Sequence, residues 1–253
     1  SSGPGRPVSP NPAQRRLALD ELLAHQLSLL RLRGRTRSRR APPLFGTGEL
    51  TADFRRALGF ALTGAQQRVT ERILADLANE RPMLRLLQGD VGSGKTVVAA
   101  LAAIRAAESG YQTALMAPTE LLAEQHHATL SRWLEPLGVG TALVTSRQPV
   151  AARRDAASRI ARGDAKVAVG THALFQNDVD FRALALVVID EQHRFGVHQR
   201  LALRSKGDAG EVVPHQLVMT ATPIPRTLAM SAYADLDVSV IDELPAGRKP
   251  VST

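Results

Sequence analysis

The sequence predicts an α/β fold, a mostly parallel sheet flanked by helices and preceded by an N-terminal helix and a basic linker. Three observations carry that expectation. Short apolar runs at 83–88, 113–117, 140–145, 165–169, 184–189 and 214–219 alternate with Ala/Leu/Glu/Arg segments of helical length. Continuous apolar strands separated by helices belong to parallel sheets covered on both faces. A glycine-rich turn over 89–96 follows the first run and opens an alanine-rich helix over 97–107, while the run at 184–189 ends in two acids. In such sheets ligands bind beyond the carboxyl ends of the strands, so the strand-to-helix turns are the place to look.

Taken in order, residues 1–11 are rich in Pro, Gly and Ser and read as disordered or as an added remnant. Residues 12–33 carry leucines at near-helical spacing among charges and read as a helix. Six arginines between Arg31 and Arg40, then Ala41, Pro42 and Pro43, mark 34–59 as a basic linker. From residue 60 onward the strand and helix texture runs to the end. A further helix is expected over 119–136, with Trp133 packing on the core.

Composition narrows the classes. The 253 residues are 44% hydrophobic and 22% charged, enough apolar content for a sizeable core. Without cysteine there is no disulfide scaffold, thiolate nucleophile or zinc ribbon. No apolar run reaches the length of a membrane span, so a cytoplasmic protein with no membrane partner is expected. The net charge of +8 suggests a polyanion, but it is unevenly placed: +6 falls in the first 50 residues and +2 in the rest.

The strongest motif is Gly89, Asp90, Val91, Gly92, Ser93, Gly94, Lys95 and Thr96, a complete GxxxxGKT phosphate loop. Glycines let the backbone wrap phosphates, amides and the helix N-terminus neutralise charge, and Lys95 reaches the β/γ-phosphates. Thr96 is expected to ligate Mg²⁺, with Asp190, at the end of the buried run 184–189, completing the metal shell. Glu191 is then placed to orient and deprotonate an attacking water. ATP and Mg²⁺ are the implied cofactors. Thr63 and Gln66 form a capping box by pattern, while the Gln66 amide also suits an adenine edge, with Gln67 as the spare candidate.

The tetrad Asp190, Glu191, Gln192, His193, with 117–126 (APTELLAEQH), 169–172 (VGTH) and 220–227 (TATPIPRT), resembles the motifs of superfamily-two helicases. The stretches IDEQHRFGVHQRLAL and MTATPIPRTLAMSAYADLDVSVIDELPAGRKP resemble the RecG type, ATP-dependent DNA helicases that remodel stalled forks. That resemblance covers roughly residues 13–253. It implies that 60–253 is a first recA-like lobe and that 12–33 trails a wedge domain. The parent would act in DNA repair and recombination on branched double-stranded and single-stranded DNA, pairing this lobe with a second recA-like lobe and the wedge. The piece itself is expected to be largely inactive as a helicase.

By residue, the resemblance implies DNA-backbone contacts at Thr119 and Thr171. It also implies nucleotide-to-DNA coupling at His193, Thr220 and Thr222. Each threonine has a plainer reading as a cap or strand terminator. His126, His127 and His215 read as surface or structural. The family's Thr-Gly turn after the third strand is replaced by Thr145, Ser146 and Arg147, where the arginine could offset the missing glycine. Two alternatives stand. One is a transcription-repair coupling translocase, which typically has a glutamate where Gln192 stands. The other is an ATP-dependent switch that moves no DNA.

Overall fold

A computed structural model describes residues 39–176, 178–191, 212–222 and 236–243. Among them seven strands form one sheet: β1 (Leu84–Gly89), β2 (Gln112–Met116), β3 (Thr141–Val144), β4 (Val167–Gly170), β5 (Leu184–Asp190), β6 (His215–Thr220) and β7 (Asp237–Ile241). Their order is β3-β4-β2-β5-β6-β1-β7 and every neighbouring pair is parallel. Six of the seven are the apolar runs read from the sequence. The seventh was missed because it alternates: Ser239 and Ile241 face in while Val238 and Val240 are nearly half exposed. Such alternation marks an edge strand with one covered face.

The helices are α1 (Glu49–Ala57), α2 (Gly64–Leu77), α3 (Lys95–Glu108), α4 (Glu120–Leu134) and α5 (Val150–Arg162). Helix α3 buries nine of its residues, from Val97 through Ala106, around most of its circumference. A helix apolar on nearly all faces must be central, and its alanines allow close approach to β2 and β5. Arg85 is a charge inside the first apolar run, and its partners explain it. Its guanidinium donates to Asp76 Oδ2 at 2.8 and 2.5 Å and to Ser239 Oγ at 2.8 Å, tying β1 to α2 and β7.

The linker expected over 34–59 is corrected by packing. Residues 39–59 belong to the lobe's compact unit, and Ala41, Leu44, Phe54 and Leu58 are buried in it. Ala41 N donates to Glu80 O and Leu44 N to Leu77 O, at 2.7 and 2.8 Å. Helix α1 then packs Phe54 edge-on against Trp133, with ring centroids 5.8 Å apart. Arginines flanking a proline pair look like a linker locally, but the apolar side chains spaced among them have a groove to fill. Residues 1–38, and so the helix expected over 12–33, lie outside the described residues.

Because every strand is parallel, all seven carboxyl ends share one edge. Gln88 is in register with Thr220, Asp190 with Met219, Met116 with Ile189 and Val144 with Gly170. The glycine loop, the acids and Thr220 therefore fall on the β1-β6-β5 half. The turns after β2, β3 and β4 fall on the other half.

Candidate functional site

The glycine loop leaves β1 and enters α3 without a break. Gly92 and Gly94 take φ of 82° and 87°, values that a residue with a Cβ adopts at a cost. At Gly94 a Cβ would also lie 2.2 Å from Gln66 Nε2, so only glycine fits. Ser93 N donates to Asp90 O at 3.0 Å, closing the loop. Lys95 folds over it, its Nζ donating to Gly89 O at 2.5 Å and to Asp90 O at 3.0 Å. Burial pushes the Lys95 ammonium below the ordinary lysine range, opposed by the charges of Asp190, Glu191 and Asp90. Ser93 Oγ is buried with no hydrogen-bond partner. Thr96 is half-buried in the first turn of α3, and Val91 is exposed at the tip.

The acids sit two strands away. Asp190 ends β5 and is 8% exposed. Glu191 follows with φ of 53°, in the left-handed region that a non-glycine residue enters only when its surroundings hold it. Two bonds hold it: its N–H donates to Met219 O at 2.9 Å, and its Oε1 accepts from Ala221 N at 3.0 Å. Thr220 is buried, and its Oγ1 donates to Thr222 Oγ1 at 3.3 Å and accepts from Thr222 N at 3.2 Å. The acid turn and the Thr-Ala-Thr turn are thus bonded through Glu191. His193, expected to make such a link, and Gln192 lie outside the described residues.

The capping box is present in full. Thr63 Oγ1 accepts from Gln66 N at 3.2 Å, and Thr63 N donates to Gln66 Oε1 at 2.9 Å. The other end of that amide donates to Ser93 O at 2.8 Å, and Gln66 is 1% exposed. Both ends are spent on α2 and the glycine loop, so an adenine edge could be read there only by displacing one of these bonds. Gln67 is exposed, with its Nε2 on Leu62 O at 3.1 Å. A cavity of about 170 Å³ opens beside the loop between Gly89, Ser93, Ala221, Ile241 and Glu243. Glu243, which sequence reasoning passed over, holds the start of α2: its Oε2 accepts from Ala65 N at 3.1 Å and it pairs with Arg68.

On the other half of the edge, Thr119 is exposed and caps α4, its hydroxyl accepting from Leu122 N at 3.3 Å. Thr171 differs from its expectation as a DNA contact. It is 4% exposed and its hydroxyl faces Ala173 N at 3.5 Å, so it shapes the 3-10 turn His172–Phe175 and offers nothing outward. Arg147 is exposed and meets Glu120. Its guanidinium Nε lies 2.9 Å from Glu120 Oε2, and its N–H donates to Glu120 Oε1 at 3.1 Å.

His126, read from the sequence as surface or structural, has a partner the sequence did not suggest. Its Nε2 lies 2.7 Å from Asp190 Oδ2, with both side chains largely enclosed. No spacing rule links positions 64 apart; the contact exists because β2, which α4 follows, lies beside β5. His127 and His215 do play structural parts. His127 joins Ser131 and Thr141, and His215 is fully buried between Met83 N and Pro42 O.

A phosphate loop on an all-parallel sheet, with an acid ending a strand two places away, defines the nucleotide-binding lobe of a P-loop enzyme. The chain belongs to the DEAD/DEAH box helicases, whose family profile matches residues 63–231. It is 59% identical over 243 residues to the ATP-dependent DNA helicase RecG of Escherichia coli strain K12, covering 96% of this chain and 35% of that protein. The RecG of Aquifex aeolicus is 48% identical, covering 94% of this chain and 30% of its own length. A structure of RecG bound to a three-way DNA junction superposes with a TM-score of 0.79 at 41% identity, covering 94% of this chain and 31% of that one. The chain therefore spans about a third of the length of the curated relatives it matches.

Proposed function

We propose that this chain is the ATP-binding and hydrolysing lobe of a DNA helicase or translocase that acts on branched DNA in repair and recombination. The observation that carries the reading is the single sheet edge. It sets the glycine loop, Asp190, Glu191 and Thr220 on one half and the exposed cap Thr119 on the other. High identity to RecG relatives, and the junction-bound RecG structure, support branched DNA as the substrate class.

Within that reading Lys95 exchanges the carbonyls of Gly89 and Asp90 for β/γ-phosphate oxygens, and loop amides take the remaining charge. Ser93 Oγ, buried and unpartnered, is the kind of orphaned donor that a bound phosphate satisfies. Thr96 and Asp190 would hold Mg²⁺. Among the described residues no group of three or more His, Cys, Asp or Glu could hold a metal alone. That suits an ion that typically takes one or two carboxylates and completes its shell with phosphate and water. When bound, the ion would neutralise charge on the transferring phosphate. Glu191 orients and deprotonates the attacking water. Its bond to Ala221 N makes the Thr220–Thr222 turn responsive to that carboxylate, and Thr119 meets the DNA backbone. Gln66 acts chiefly by fixing the glycine loop.

A second recA-like lobe and a wedge domain are the partners this reading calls for, in a cytoplasmic protein. No described helix is long and apolar enough to cross a membrane. The test is equilibrium DNA binding across a salt series, comparing three-way junction with linear duplex. Phosphate contacts give a steep fall of log affinity with log salt, close to one unit of slope per contact. A flat slope would favour the non-motor switch.

A further inference from the structure

We infer that His126 is a positioning residue for Asp190, through which helix α4 fixes the direction in which that carboxylate faces the metal position. The inference rests on Asp190 being the magnesium ligand, and goes beyond it by naming what aims the ligand. His126 Nε2 stands 2.7 Å from Asp190 Oδ2. With 14% and 11% of the two side chains exposed, water competes little for the bond. Nε2 can present a single hydrogen, so its donation occupies one carboxylate oxygen and leaves the other free to turn outward.

The imidazole is itself held, because α4 is pinned along its length. Thr119 caps its first turn, and Glu120 is bonded to the Arg147 amide and guanidinium. Ala123, Leu130 and Leu134 are buried beneath it. Asp190 is the last residue of its strand and is still paired with Met219, so its backbone is fixed and the His126 donor selects among the rotamers of its carboxylate. The same helix begins at Thr119, on the half of the edge assigned to DNA. Among the described residues, His126 is the side chain that joins that helix directly to the acid. Partners of ligating groups that do not themselves touch the metal typically change metal affinity 10–100-fold when removed.

The test is a Mg²⁺ titration of fluorescent ADP-analogue binding to the chain and to His126→Phe and His126→Gln. Phenylalanine fills the ring space without a donor, while the glutamine amide can return a donor near the Nε2 position. Phe should raise the half-saturating Mg²⁺ about tenfold, with binding in EDTA unchanged. Gln should restore most of the loss. A Phe variant within about twofold of the parent, or a Gln variant as impaired as Phe, overturns the inference. If Phe unfolds the lobe, His126→Asn, whose amide stops short of Asp190, carries the same expectation. Nucleotide binding by the parent chain that ignores Mg²⁺ altogether would overturn the metal reading itself, a different result from a Phe variant that matches a Mg²⁺-dependent parent.

Discussion

At the scale of single residues, Glu191 carries its strain for a visible reason. A φ of 53° turns its carboxylate back onto Ala221 N while Asp190, one residue earlier, meets His126. Two adjacent acids thus face different partners, Asp190 the imidazole of α4 and Glu191 the turn after β6. Replacing Glu191 with Gln keeps the oxygen that accepts from Ala221 and removes the base. In a full-length relative carrying this lobe, Glu191→Gln should bind nucleotide normally and turn over about 10²–10⁴-fold more slowly, read by single-turnover hydrolysis. Lys95→Ala should weaken nucleotide binding about 10–100-fold, the value of a lost charge-assisted bond, as isothermal titration would report.

His215 makes a separate prediction about stability. Burial holds its pKa below the usual histidine value of 6.5, opposed by the Pro42 carbonyl and by Asp76. Its Nδ1 accepts from Met83 N, so a second ring proton would face another donor. The unfolded chain therefore takes up the proton first as pH falls. The stabilisation is complete above pH 6.5 and is lost progressively as pH drops through the lower folded value. His127 shifts the same way, chiefly by burial. Comparing thermal melts of the chain and of His215→Gln between pH 7.5 and 5 should isolate the His215 part; parallel profiles would refute it.

At the scale of elements, α1 depends on a carboxylate from elsewhere. Glu108, at the end of α3, accepts from Leu50 N at 2.8 Å and from Thr51 N at 3.4 Å, capping a helix whose own N-cap is Gly48. Its side chain is 2% exposed, with Arg105 Nε 3.7 Å away. Gly46 makes room for it, since a Cβ there would lie 2.1 Å from Glu108 Oε2. Glu108→Ala removes the acceptor of two partly buried amides and the charge beside Arg105, and should cost about 3 kcal/mol, measured by urea unfolding. Glu108→Gln, which keeps an acceptor, should cost less. Gly46→Ala should destabilise in the same direction by expelling the carboxylate. A loss under about 0.5 kcal/mol for Glu108→Ala would mean that α1 holds itself.

At the scale of the whole lobe, residues 41–58 are structural. Leu44 and Phe54 are within 1% of complete burial, and each fully buried large side chain contributes about 1.5–3 kcal/mol. A chain starting at Gly59 should melt on the order of 10 °C below one that retains them, by scanning fluorimetry. The charge distribution belongs at this scale too. Outside the arginine-rich first 50 residues the body is only +2, so DNA affinity must come from placed contacts more than from bulk charge. Arg40 pairs with Glu80 at 3.7 Å on the surface, where such a pair is worth little.

The sequence by itself determined the fold class, six of the seven strands, the phosphate loop, the acid pair and the capping box. Each is local: a run, a turn or a fixed spacing that backbone chemistry reads directly. Tertiary structure decided what needs two distant segments to meet. It put His126 on Asp190 and Glu243 on the start of α2, buried Thr171 and set Arg147 beside Glu120. It also converted a presumed linker into core and completed the sheet with β7. The reason is physical. Local patterns follow from the conformational preferences of a few neighbouring residues. A contact across 64 positions follows only from strand order, and strand order is set by how the whole core packs.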